Sequence, residues 1–385
     1  MEIYLDNAAT TKPSGAVLAA MKKVLVEDYG NPSSMHRMGF CAEQHIKEAA
    51  GIIAKSLHAA EKEIVFTSGG TESNNMALIG TALANQRAGK HIITTQMEHA
   101  AVYNPLLFLE EMGFEITFLP VDSMGHVSVE ALKEAVREDT ILVSIMYVNN
   151  EIGAVNDIKA LSHAAKEKNP KVLFHADAIQ AYGKYRISPA KEGIDLLSVS
   201  GHKIHGPKGT GFLYIRDKVK IKPVIYGGGQ QGGLRSGTEN VPGIVGLGAA
   251  VKEAYGQHGE KREKLFLLKK RLLKGLSVME GVFPNAVSGE EPGAPHILSV
   301  SFPGIRSEVL LHSLEEKGIY VSAGSACSSN HPGISGTLKA IGLSEESLTS
   351  TLRFSFSVNN TEEEVDETIR AVQELLPLLK RYTRH

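Results

Sequence analysis

The sequence predicts an α/β fold: a large domain with a mostly parallel seven-stranded sheet flanked by helices, and a smaller α+β domain. Three observations predict it. Between residues 63 and 215 short apolar runs alternate with helical patterns, the signature of βαβ units. After Pro242 that alternation gives way to a long helical stretch with few strands. The 38 glycines are clustered instead of periodic, which suggests loops where backbone approaches a ligand closely.

Residues 2–5 read as a short strand, and Asp6-Asn7-Ala8-Ala9-Thr10-Thr11 as a polar turn into a helix over 14–27. Tyr29 to His36 is too rich in turn formers for regular structure, and a helix is expected over 39–57. Strands are predicted over 63–67, 91–95, 115–119, 140–147, 171–175, 196–199 and 210–215, with helices between them, among them 71–85, 129–136 and 157–168. One long helix is predicted from Ile244 to Leu276. Its basic segments interleave with acidic residues and carry no aromatics, which fits a solvated face and not a nucleic-acid patch. A strand over 297–302, a helix over 307–317 and a final helix from Thr361 follow. That last helix opens on the capping box Thr361-Glu362-Glu363-Glu364, and Val365, Ile369, Val372 and Leu376 recur at helical spacing. The change of pattern divides the chain into a large domain over 16–255 and a small one built from 1–15 and 256–385.

Composition excludes several classes of function. A net charge of −2 over 385 residues gives no global attraction to nucleic acid or to an anionic membrane. No apolar run approaches the roughly 18 residues of a membrane span. Two cysteines, Cys41 and Cys327, make neither a disulfide framework nor a zinc site, and no metal is expected. With no basic-then-apolar leader at the N-terminus, the expectation is a cytoplasmic protein.

Several strand ends carry chemistry. Leu197-Ser198-Val199-Ser200-Gly201-His202-Lys203 runs an apolar strand into a lysine ahead of a glycine-rich run. A lysine desolvated there becomes a reactive amine, able to form a Schiff base, whereas most lysines beside such turns are solvated. Thr67-Ser68-Gly69-Gly70-Thr71-Glu72 joins a strand to a helix start, either a phosphate site with Ser68 and Thr71 as donors or an ordinary capped turn. Asp177 ends the apolar run Lys171 to Ala176, where a carboxylate can hold a ring nitrogen protonated or simply cap a turn. His99 follows the strand ending at Thr95, at the same edge, although a lone histidine is more often a satisfied structural one. Cys327 lies among small and turn residues, as a substrate-facing thiol does, while Cys41 reads as structural. Arg353 stands alone in a strand-forming stretch, suited to grip a carboxylate or to form a structural ion pair.

Taken together, Tyr4-Leu5-Asp6-Asn7-Ala8-Ala9-Thr10-Thr11, Gly30-Asn31-Pro32-Ser33-Ser34-Met35-His36, Thr67 to Asn75, Asn149-Asn150-Glu151-Ile152-Gly153, Asp177 with Gln180, Ser200-Gly201-His202-Lys203, Arg235-Ser236-Gly237-Thr238 and Gly324-Ser325-Ala326-Cys327 resemble the cysteine desulfurases of the NifS/IscS type. These are pyridoxal phosphate enzymes of fold type I, in the aminotransferase class V family. The resemblance runs from residue 3 to the last helix. It departs at Phe356-Ser357-Val358-Asn359-Asn360, where the family places a glycine soon after Arg-Phe-Ser, and at His205, where tyrosine can occur.

The resemblance implies roles. Lys203 would carry pyridoxal 5'-phosphate, Asp177 would pair with its ring nitrogen, Gln180 would bond the ring hydroxyl, and His99 would stack on the ring and move protons. Gly70, Thr71, Ser200 and His202 would hold the phosphate, joined by Thr238 of a second subunit, which implies a homodimer. Asn150 would touch cofactor or substrate, and Arg353 would grip the carboxylate of L-cysteine. Cys327 would attack the substrate sulfur, leaving a persulfide for an acceptor protein such as an iron-sulfur scaffold and releasing L-alanine. A selenocysteine lyase is the near rival, and a non-catalytic scaffold on the same fold the rival of another class.

Overall fold

The computed structural model describes residues 2–287, 293–323 and 335–382. Its centre is a seven-stranded sheet in the order Ile64–Thr67, Gly211–Ile215, Leu196–Ser200, Leu173–Asp177, Thr140–Met146, His91–Thr95, Glu115–Leu119. All seven expected strands are there. Only Gly211–Ile215 runs antiparallel to its neighbours; the other adjacent strands are parallel, each return made through a helical connection. The central strands are buried throughout, so they read as unbroken apolar runs and not as alternating ones.

Two apolar cores flank this sheet, one under the helices Gly15–Val26, Arg37–Leu57 and Val241–Tyr255, the other under the helices over 70–85 and 100–111. Ser14 caps the first helix by accepting from the Val17 N–H, and His36 caps the second by accepting from Gly39. The helix expected over 71–85 begins at Gly70 and contains a π-helical turn at Met76–Gly80.

A separate core gathers Ile3 and Leu5 from the chain start with Leu265, Leu298, Phe354, Val365 and Val372. It lies on an antiparallel sheet in the order Ser322–Ala323, Thr351–Ser355, Ile297–Ser301, Phe283–Asn285. The chain start reaches it because Ile3–Tyr4 pairs in parallel with Ile319–Tyr320. The final helix, Glu362–Tyr382, has the expected capping box: the Glu364 N–H donates to Thr361 Oγ1 at 3.3 Å, and the Thr361 N–H to Glu364 Oε2 at 3.1 Å.

One expectation is corrected. The helix predicted from Ile244 to Leu276 is two helices, Val241–Tyr255 and His258–Ser277. Gly256 is extended and Gln257 is left-handed, at φ 53° and ψ 36°, so the backbone turns there and the ring of Tyr255 stacks on His258 at 5.4 Å. Apolar periodicity continues across the break, which hides it from the pattern.

Among the described residues no helix is long and apolar enough to cross a membrane, and no group of His, Cys, Asp and Glu could hold a metal ion.

Candidate active site

The site lies where the parallel strands end. Leu173–Asp177 and Leu196–Ser200 are neighbours in register, Asp177 opposite Ser198, so their carboxyl ends open at one edge of the sheet. Past Ser200 a single 3-10 turn, Gly201–Lys203, carries the lysine. Glycine is required at 201, because a Cβ there would come within 2.7 Å of Thr210 Oγ1.

A cavity of about 310 Å³ occupies this edge. Its walls include His99, Asp177, Gln180, Ser200, His202 and Lys203, and also Gly70, Thr71, Asn150 and Arg353. Ten of the expected site residues, drawn from segments between 70 and 353, therefore share one wall. Thr238 does not reach it. It lines a separate cleft with Ser68 and Arg235, so the Ser68 hydroxyl is also absent from the cavity. Cys327 lies outside the described residues.

Lys203 Nζ donates to the carbonyls of Ala8 at 2.6 Å and Ala9 at 2.7 Å, which ties the N-terminal turn to the lysine. Asp177 is almost wholly buried and is held by two donors: Asn74 Nδ2 to Oδ2 at 2.8 Å, and the Ile179 N–H to Oδ1 at 3.0 Å. Burial raises its pKa, against those two hydrogen bonds and the neighbouring His99 and Lys203. A cation brought against this carboxylate would relieve that burial.

His99 caps the helix Ala100–Glu111, its Nδ1 accepting from the Ala101 N–H at 3.0 Å. Burial, with Lys203 in support, pushes its pKa down, so the ring is neutral with its proton on Nε2. For His202, burial first and then the charges of Lys203, Lys208 and Lys184 lower the pKa to about 4. Gln180 spans two partners: its Nε2 donates to Ala8 O at 2.9 Å, and its Oε1 faces His296 Nε2 at 3.1 Å. An amide oxygen only accepts, so His296 donates from Nε2 and fixes which way the amide faces.

Arg353 makes an ion pair, one of its two sequence readings. It lines the cavity, and its Nη2 is already paired with Asp6 Oδ1 at 2.8 Å while Nη1 donates to the Asn150 carbonyl at 2.8 Å. This side chain joins the small sheet to the loop after Thr140–Met146.

The donor set fits pyridoxal phosphate. A buried carboxylate suits a protonated ring nitrogen, and Lys203 supplies the amine. Gly70 and Thr71, which open a helix, line the cavity beside Ser200, so backbone N–H and hydroxyl donors are at hand there for a phosphate. Gly70 keeps this corner open, since a Cβ would come 2.1 Å from Ile179 Cδ1.

Sequence reasoning missed three residues here. Asn74 lies inside a quoted motif without a role, and its place one helical turn past Gly70 was the available signal. His296 gave none. Glu98, next to His99, has Oε1 accepting from Thr95 Oγ1 and the Met146 N–H, both at 2.9 Å, while its buried Oε2 has no partner. Burial, aided by the nearby Asp177, lifts its pKa to about 8, so it is a neutral acid at neutral pH.

Comparison with known proteins agrees with this geometry. The aminotransferase class-V family model matches residues 3–368. The chain is 45% identical over 378 residues to cysteine desulfurase IscS of Methanosarcina thermophila, covering 98% of this chain and 93% of that one. It is 42% identical over 392 residues to cysteine desulfurase IscS of Clostridium botulinum, covering 100% and 98%. A solved structure of a NifS-like protein superposes with a TM-score of 0.93 at 41% identity, covering 98% of this chain and 100% of the other. Matched along nearly its whole length in both sequence and backbone, the chain belongs to the aminotransferase class-V family.

Proposed function

We propose that this chain is a pyridoxal phosphate-dependent cysteine desulfurase, converting L-cysteine to L-alanine and taking the sulfur onto Cys327. The observation that carries the reading is the single cavity in which Lys203 and Asp177 stand on one wall with Arg353. Relatives of this length and identity that bear the name cysteine desulfurase support it.

Bound there, the cofactor supplies an electron sink for the substrate's Cα. The chain's residues do the rest. Asp177, held by Asn74 and Ile179, offers a fixed negative charge for the ring nitrogen, and Gln180 presents its amide donor with His296 behind it. Arg353 binds the substrate carboxylate from the edge not taken by Asp6 and Asn150. Lys203 would take the Cα proton, and neutral His99 would move a proton between substrate and the Cys327 thiol. The net reaction balances without an oxidant: the substrate C–S bond breaks, a Cys327 S–S bond forms, and the thiol's proton ends on the alanine methyl.

The finer assignments belong to the same proposal. Thr238 completes the phosphate site of a partner subunit, so the active form is a homodimer; its place in a cleft apart from its own chain's cavity supports this. The chain divides into a cofactor-bearing part over 16–255 and a second part from 1–15 and 256–385, which the separate apolar cores support. The protein is cytoplasmic, and its sulfur goes to an acceptor protein of iron-sulfur assembly.

The test is turnover of L-cysteine and of L-selenocysteine by the wild type and by Cys327→Ala. Alanine release from L-cysteine that is lost in Cys327→Ala is expected. Turnover of selenocysteine alone points to the lyase. A protein that cannot be reconstituted with pyridoxal phosphate is a scaffold.

A further inference from the structure

Lys203 belongs to two cavities. The second, of about 290 Å³, shares no other wall with the first. It lies between the two halves of the molecule, with Ile204 from the large core facing Leu265 and Phe356 from the small one. We propose that this second cavity is a binding site for a small organic carboxylate with a short apolar tail, held through Lys184.

Lys184 lines the cavity and is half-buried, and its Nζ donates to the backbone carbonyl of Lys203 at 2.5 Å. Among the described residues no acid is paired with it: burial, then the like charge of Lys203, lowers its pKa to about 7. With its pKa near 7 the amine is partly neutral at neutral pH, and an anion seated beside it in the cavity would favour the ammonium form. Lys261 also lines the cavity, and Glu253 is the one carboxylate among its described lining residues. That carboxylate already accepts from Ser14 Oγ, and Lys261 Nζ donates to the Glu253 backbone carbonyl. Arg262 packs on the rings of Tyr185 at 5.5 Å and Phe266 at 4.8 Å, which fixes the side of the cavity it lines. His205 and His296 add no charge, since burial lowers both pKa values.

The opposite walls are apolar, so an inorganic anion would leave them bare, whereas an aliphatic acid covers them while its carboxylate meets Lys184. The volume is at the lower end for small-molecule sites, which run from about 300 Å³. Occupancy would be felt at the active site through one bond, the Lys184 contact to the Lys203 carbonyl.

The proposal does not rest on the reaction assigned above, and the test separates them. Holoenzyme, with its phosphate site filled, is titrated calorimetrically with butyrate, n-butylamine and sulfate. Butyrate is expected to bind saturably, sulfate more weakly and the amine not at all. Lys184→Met should weaken butyrate at least tenfold and Lys261→Ala at least threefold, while Arg353→Ala leaves it unchanged. Thermal melting identifies a variant that fails to fold, and Lys261→Ala, at a half-buried rim position, decides the matter if Lys184→Met does not fold. No butyrate binding, binding indifferent to both lysine variants, or binding lost with Arg353→Ala, which would place it in the first cavity, each overturns the proposal.

Discussion

Asn74→Leu separates holding the cofactor from holding the fold. Asn74 is fully buried, and its one side-chain hydrogen bond among the described residues is the 2.8 Å bond from Nδ2 to Asp177 Oδ2; its Oδ1 has no partner among them. A hydrogen bond to a charged group is worth about 1.5–3 kcal/mol, and leaving a buried polar atom unpaired costs about 1–3 kcal/mol. Leucine removes both at once. The apoprotein should therefore melt close to wild type, its lost bond offset by the removal of the orphaned oxygen. Asp177, however, loses one of its two donors, and as burial already raises its pKa, its charged form is weakened further. Pyridoxal phosphate affinity rests on that charged form, so the same 1.5–3 kcal/mol predicts a fall of about ten- to a hundred-fold. The assay is absorbance titration of apoprotein with the cofactor beside thermal melting. A folded variant that binds within threefold of wild type refutes the reasoning, and so does one whose affinity falls only in step with its stability.

Glu98 makes a prediction about pH. Its carboxyl keeps its proton in the fold up to about 8, whereas the unfolded chain releases it near 4.5. The native state then binds the extra proton between these values, so stability falls as pH rises through that window, by up to about 1.4 kcal/mol per pH unit. Glu98→Gln should flatten this decline and raise the melting temperature near pH 8; an unchanged slope contradicts the assignment. At the helix break, Gln257 adopts φ 53°, which a side chain disfavours and glycine does not. Gln257→Gly should stabilise by about 0.5–1 kcal/mol in urea unfolding, and destabilisation would mean that the Gln side chain holds the turn.

Much of the fold and the site was legible because its signals are local. Seven apolar runs, each bounded by turn residues, became the seven strands of one sheet. Lys203, Asp177 and His99 were visible because each follows a strand directly, and in a sheet of mostly parallel strands this places them at one edge. What escaped notice depends on contacts far apart in sequence. Asn74 meets Asp177 across 103 residues, His296 meets Gln180 across 116, and Arg353 meets Asp6 across 347. No periodicity encodes such pairs. The break at Gly256 and Gln257 was hidden for another reason: apolar residues recur at helical spacing on both sides, and a lone glycine within a helical pattern does not by itself end it. Lys184 looked like any other lysine, because only the assembled walls of the second cavity bury it with no acid paired to it among the described residues.

The most direct test of the account is to reduce the holoenzyme with borohydride, digest it and locate the pyridoxyl group by mass spectrometry, before and after one turnover of L-cysteine. The account predicts the label on Lys203 beforehand, and afterwards a single added sulfur on Cys327 with one alanine released. A label on Lys184, whose amine also has a lowered pKa, or sulfur on Cys41, would contradict it.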